Sequence, residues 1–331
     1  MVLSENKGFH TENIDKIEIG KEFIKINKLN YFGFYNISEN KKYIVSWLDC
    51  SEDRHKCGRR NGGKGTYILC EDESVILKGK IERPNEGKVG NNGNFIFEDW
   101  LFNKDGINET GSICYGFNKN GRTILKHYLN SNIRESAISD DGNFAIFQTG
   151  YNESSLDGNK LYFFDLKENN LLWDISIKNM WPEGYIIKEH ERIIYLDHGN
   201  GYKYKFDFDG NFLDEKIWDR EKLDITTEYK LYILLLEELN KLDKSNASLD
   251  HYDDLLPYFN KLLRTNVSNN IKSFIYKEIA IIDYKKKNLE SSLANLKLSL
   301  NYYSSLTTRR LYNKIKEEHK NSILNTNFAK Q

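Results

Sequence analysis

Apolar and polar residues alternate through Tyr202, Tyr204, Phe206 and Phe208, the period of two that marks a β-strand with one buried face. The same alternation, set out with its turns, fills residues 133–177. One strand ends at Ser139-Asp-Asp-Gly142, a second starts at Phe144, a third covers Leu161-Tyr-Phe-Phe-Asp165, and a fourth covers Leu171-Leu-Trp-Asp174. Asp141-Gly142 here, and Asn92-Gly93 upstream, are pairs suited to tight hairpin connections that need φ > 0. The segment therefore predicts a four-stranded antiparallel meander. Such a meander cannot bury both of its own faces, so neighbours built on the same plan are expected.

Those neighbours appear when the chain is aligned on the apolar residue after each turn. Tyr43, Phe95, Phe144 and Ile193 are 52, 49 and 49 residues apart. After each anchor a second strand begins near Gly65, Gly111, Asn159 or Gly201, and a third near Ser74, Arg122, Leu171 or Asn211. Inner strands are expected near 29–37, 88–90, 134–138 and 185–188. Residues 14–27, with Ile14, Ile17, Ile19, Phe23, Ile24 and Ile26, supply an extra strand or hairpin, expected to complete the last unit or begin a partial fifth.

The third unit resembles the blades of WD-repeat and YVTN-type β-propellers through Ser139-Asp-Asp-Gly142, Leu161-Tyr-Phe-Phe-Asp165 and Leu171-Leu-Trp-Asp174. The second and fourth units lack the Trp-Asp step, and the first has no glycine in its turn. The resemblance implies a small or incomplete β-propeller of about four blades over residues 1–219. Where closure fails, exposed strand edges need a cover.

Near Trp218 the period shifts from two to three or four. Leu231, Leu234, Leu235 and Leu239 predict one helix; Leu255, Leu256, Phe259, Leu262 and Leu263 predict a second, which Pro257 kinks unless it lies in the first turn. Further helices are expected over 274–284, 289–303 and 307–320. With Ala280 at the small position of a first helix, Leu289, Ser292, Leu296, Ser299 and Leu300 fall on the knob and small positions of a second, and residues 228–306 resemble tetratricopeptide repeats. Asp283 stands where that family prefers Tyr, and Ser304 where it has Pro. The expected fold class is thus β then α, with a helical-repeat domain over 220–331 and a generic helical bundle as its alternative.

Composition fits this plan: 331 residues, 39% hydrophobic, 29% charged, 3 prolines. No apolar stretch is long enough to span a membrane, and Met1-Val-Leu-Ser-Glu-Asn-Lys7 lacks the apolar run of a signal peptide, so the expected location is cytoplasmic. A formal net charge of −1 exerts no overall pull on nucleic acid, and binding of that kind needs a local patch.

Loop length points to such a patch. From each anchor to the next strand the gaps are 22, 16, 15 and 8 residues, so three adjacent units carry insertions on one face. The expected partner-binding residues are Arg54, His55, Lys56, Arg59, Arg60 and Lys64 in the first loop, Trp100 and Asp105 in the second, and Tyr151 and Asp157 in the third. The first loop mixes cations with glycines, which suits an acidic protein surface or a phosphate. Cys50, His55, Cys57 and Cys70 are soft ligands without the paired short spacing of a zinc site, and a Cys50–Cys57 disulfide is disfavoured in a reducing compartment. No hydrolase elbow, phosphate loop or zinc-protease motif is present, and no cofactor is implied. The expected function is a non-catalytic adaptor binding a protein partner. The alternatives are a nucleic-acid or phosphate reader using residues 54–64, and a hydrolase whose site is built from separated strands.

Overall fold

Among the described residues, short strands run from Ile17 to Asp207, and helices follow from Glu215. The computed structural model describes residues 17–50, 63–101, 111–152, 154–177, 181–226, 228–245 and 248–328. Two compact units result, divided between Asp214 and Glu215.

The first unit holds four antiparallel sheets. One contains β1 (Ile17–Ile19), β2 (Phe23–Ile26), β3 (Tyr31–Ile37), β4 (Tyr43–Leu48), β5 (Gly65–Glu71) and β6 (Ser74–Ile81), in that order. The second contains β7 (Pro84–Val89), β8 (Phe95–Trp100), β9 (Ser112–Phe117) and β10 (Thr123–Leu129). The third contains β11 (Ile133–Ile138), β12 (Phe144–Thr149), β13 (Lys160–Asp165) and β14 (Asn170–Ser176). The fourth contains β15 (Gly184–Lys188), β16 (Ile193–Asp197) and β17 (Lys203–Asp207). The inner strands β3, β7, β11 and β15 meet in chain order, so the sheets follow one another as the blades of a propeller-like arrangement that closes into no barrel.

Three apolar seams hold the blades together. Val45, Trp47 and Tyr67 meet Phe95, Phe97 and Phe117 in the first; Ile96 and Leu125 meet Ala145, Phe147 and Phe164 in the second; Ile146, Leu161 and Phe163 meet Ile187, Ile194 and Phe206 in the third. Each fully buried Phe or Ile here contributes roughly 1.5–3 kcal/mol relative to exposure. Outer strands β6 and β14 alternate exposed and half-buried residues, as edges do.

Two expectations are corrected. The 14–27 segment neither completes the last blade nor begins a fifth: β1 pairs with β2 and β2 with β3, with Phe23 opposite Phe34. Their apolar face, Ile17, Ile24 and Ile26, finds its burial against Ile44, Ile68 and Cys70 of the same sheet. The hairpin thereby covers the face of the first blade that a further blade would cover. The third strand expected near Asn211 is reduced to a bridge between Phe206 and Phe212. The Asp207 carboxylate accepts the amides of Asp209 and Asn211 and tightens the turn, and Asp214 Oδ2 takes the Lys205 amide at 3.0 Å, which ends the pairing.

The second unit comprises α1 (Glu215–Ile225), α2 (Glu228–Ser245), α3 (Leu249–Asp253), α4 (Leu256–Leu263), α5 (Asn269–Lys285), α6 (Leu289–Tyr302) and α7 (Leu306–Phe328). Pro257 lies in the first turn of α4, where its missing amide costs nothing. Ser268 caps α5 by accepting the Ile271 amide, and Asn288 caps α6 by accepting the Ser291 amide. Buried Ser273 lies against Ser299, and Ala280 against Ser292, so α5 and α6 run antiparallel. In the run Lys285-Lys286-Lys287, Lys285 pairs with Asp243 and Lys286 with Asp253. Among the described residues no helix is long and apolar enough to cross a membrane.

Candidate functional site

At one end of the strands the turns from inner to second strand come together. In the first, Ser38 Oγ accepts the Tyr43 amide at 3.0 Å and donates to Asn40 Oδ1 at 2.7 Å. In the third, Ser139 Oγ accepts the amides of Asn143 and Phe144. The fourth residue of each of the first three turns closes it by donating to the first, as Lys41 to Ser38, Gly93 to Gly90 and Gly142 to Ser139. All three have positive φ, and Lys41 takes that conformation without being glycine. In the fourth blade the same closure is displaced by one residue, from Arg192 to Glu189.

These turns are riveted in series. The Asn40 amide donates to Asn91 Oδ1 at 2.9 Å, the Asn91 amide to the Asp140 carbonyl at 2.7 Å, and Lys188 Nζ lies 3.1 Å from Asp140 Oδ2. Asn92 and Asn94 side chains donate to the Gly142 carbonyl, and Asn143 to Glu189 Oε2 at 2.9 Å. Between them lies a cavity of about 220 Å³ to which all four blades contribute. Its wall carries Glu39, Asp140, Asp141, Glu189 and Glu191, against Lys188 and His190. The hydrogen bond and charge of Asp140, with Glu39 adding, hold the Lys188 ammonium above its ordinary range. His190 stands 3.8 Å from Asp141 and is almost wholly exposed. A preorganised, acidic, solvent-open recess of this kind favours a cationic group.

The loops expected to bind a partner leave the opposite ends of the same strands. Arg54, His55, Lys56, Cys57, Arg59, Arg60 and Asp105 lie outside the described residues. Lys64 is exposed, and Tyr151 is 65% exposed. Trp100 is half-buried, and its buried Nε1 has no hydrogen-bond partner among the described residues. The Asp157 carboxylate is turned into its own blade, accepting the Asn130 amide at 2.7 Å and the Tyr162 hydroxyl at 2.9 Å. It ties loop to sheet.

The cysteines separate into two kinds. Cys50 is disulfide-bonded, which corrects the expectation that it stays reduced and removes it as a thiolate ligand. Disulfides persist in oxidising compartments, which sets this bond against the cytoplasmic expectation. Cys70 and Cys114 are free and fully buried; burial pushes the Cys70 thiol up to about 12 and the Cys114 thiol upward as well. Neither should react with a thiol reagent at pH 8 until denaturant is added, and a fast reaction of the native protein would contradict their placement. Among the described residues no three His, Cys, Asp or Glu side chains gather so as to hold a metal ion.

No protein-family model and no curated protein matches the chain. Among solved structures it is similar to the β-propeller domain of Myceliophteria thermophila Cps50 (Swd1), with 9% identity, a TM-score of 0.33, and coverage of 58% of this chain and 64% of that one. It is also similar to the periplasmic gluconolactonase PpgL of Pseudomonas aeruginosa, with 10% identity, a TM-score of 0.33, and coverage of 58% and 62%. The chain spans less than two thirds of either.

Proposed function

We propose that the chain is a non-catalytic adaptor whose propeller-like unit holds a protein partner at its turn end. The supporting observation is the acidic recess, assembled from four blades and fixed by hydrogen bonds between successive turns. Recesses on a rigid scaffold serve recognition, and carboxylates at its rim select a partner presenting Lys or Arg. The helical unit is the second surface in this reading. Its α5–α6 pair is taken as tetratricopeptide-like, because Ala280, Ser292 and Ser299 are fully buried where small residues let two helices approach.

The exposed rim residues Glu39, Asp141 and Glu191 allow a direct test. Glu39→Lys combined with Glu191→Lys is expected to abolish capture of a partner that the unaltered chain retains, with an unchanged Tm. Deleting residues 51–64 is expected to leave capture intact. Retention by the charge-reversed chain together with loss on deletion would move recognition to the basic loop. A salt-dependent nucleic-acid shift would then select the phosphate-reading alternative.

A further inference from the structure

Glu98 sits in a place where its chemistry is not needed for packing. It lies on β8, 1% exposed, in the seam between the second and third blades. Ser136 Oγ of β11 donates to its Oε1 at 2.8 Å, so this carboxyl makes a polar link from one blade to the next, in a mainly apolar seam that also holds the Ile133 amide donating to Ser112 Oγ at 3.1 Å. Asn85 of β7 donates to Oε2 at 3.3 Å.

The charged surroundings offer the carboxylate no counter-ion. On β7, Glu86 is its register neighbour, and Lys88 is engaged by Glu86 at 2.5 Å. On β9 its register partner is the buried thiol of Cys114. On β11, Glu135 adds negative charge and is itself raised by desolvation, with Arg134 beside it set over the Trp181 ring. No ion pair with Glu98 is present among the described residues. Burial first, then the charges of Glu86 and Glu135, outweigh the Ser136 and Asn85 hydrogen bonds and lift this carboxyl to about 7.

We propose that Glu98 makes the seam between the second and third blades a proton-operated clasp, tight when the carboxyl is neutral and loosened when it ionises. A neutral carboxyl leaves β8 and β11 sealed around the Ser136 contact. An ionised one, without a cation, draws water into the seam. The sign follows from linkage. The closed seam holds the proton up to about pH 7, whereas an opened, solvated Glu98 releases it near 4.5. Opening therefore becomes easier as pH rises between these values, by up to about tenfold per pH unit, and levels off above.

Amide hydrogen exchange of the full chain from pH 5 to 8, corrected for intrinsic rates, tests this. Openings that expose β8 and β11 should rise by up to about tenfold per pH unit between pH 5 and 7 in the unaltered chain and lose that slope in Glu98→Gln, while β16 keeps its protection. Asp99 is also raised by burial, to about 6, but it faces away from this seam and accepts the Glu82 and Arg83 amides. Asp99→Asn should therefore leave the β8–β11 slope in place. If Glu98→Gln does not fold, Ser136→Ala keeps the carboxyl and is expected to keep the slope with the seam more open at every pH. An unchanged slope in Glu98→Gln, loss of the slope in Asp99→Asn, or loss of protection spread evenly over all blades would overturn the proposal.

Discussion

Gly90→Ala is expected to destabilise the propeller-like unit by about 3 kcal/mol, the upper end of what overpacking costs. An added Cβ at residue 90 would lie 2.4 Å from the Gly142 Cα and 2.8 Å from the Gly142 nitrogen, so it meets backbone and not a side chain that can swing away. That backbone is held on every side. The Gly142 carbonyl accepts from Asn92 and Asn94, and the Asn91 amide donates to the Asp140 carbonyl. Gly142→Ala should be no milder. Its φ of +71° costs an L-residue about 1–2 kcal/mol, and its Cβ would lie 2.1 Å from Asn92 Oδ1. Gly184→Ala, where none of the described residues comes within 4 Å of the added Cβ, is the control and should stay within about 0.5 kcal/mol. Urea unfolding of the three variants decides the matter, and a Gly90→Ala cost no greater than that of Gly184→Ala would refute the contact between these turns.

The legible part of the fold is the part dictated locally. Tyr43, Phe95, Phe144 and Ile193 each begin the second strand of a blade, because a tight turn followed by alternating apolar residues has few other outcomes. Placement of the first hairpin was not legible. Ile17, Ile24 and Ile26 say that this segment is extended and has an apolar face, but which face of which sheet buries it is decided by contacts with Ile44 and Ile68 far along the chain. The fourth blade lost its outer strand to side-chain chemistry. Asp207 and Asp214 compete for backbone amides, and α1 begins directly afterwards at Glu215, just ahead of the change of period near Trp218 and upstream of the first helix assigned from Leu231 to Leu239.

For the candidate site, loop length was a misleading guide. The recess forms from short connections, residues 38–42, 90–94 and 139–143 in the first three blades and 189–192 in the fourth, so length does not single them out. A signal was nonetheless present: aligned on their anchors, the turns carry Glu39, Asp140, Asp141, Glu189 and Glu191, an acid in all but the second. Glu98 left a signal too, as the first of two adjacent carboxylates, Glu98 and Asp99, that follow Phe95, Ile96 and Phe97 in a short strand. Polar residues inside buried strands are rarely there for packing alone.

Trp173→Ala should cost about 3–5 kcal/mol and should release the fourth blade before the others. Trp173 lies on β14, yet its indole Nε1 donates to the Phe208 carbonyl beyond β17 at 2.9 Å. Its ring stands 5.2 Å from Phe163 in its own blade and 6.4 Å from Phe206 in the next. It therefore spans the third seam. The fourth blade has three full strands and a single bridge where the other three have at least four, so it depends on that seam more than they do on theirs. Trp173→Phe keeps most of the ring contact but leaves the Phe208 carbonyl without its donor, a loss of about 1 kcal/mol. Hydrogen exchange reads where the loss falls. Protection in β15, β16 and β17 should drop in Trp173→Ala while β4 and β8 hold, whereas equal loss in all blades, or an alanine variant no weaker than the phenylalanine one, would show that the indole does not carry the blade.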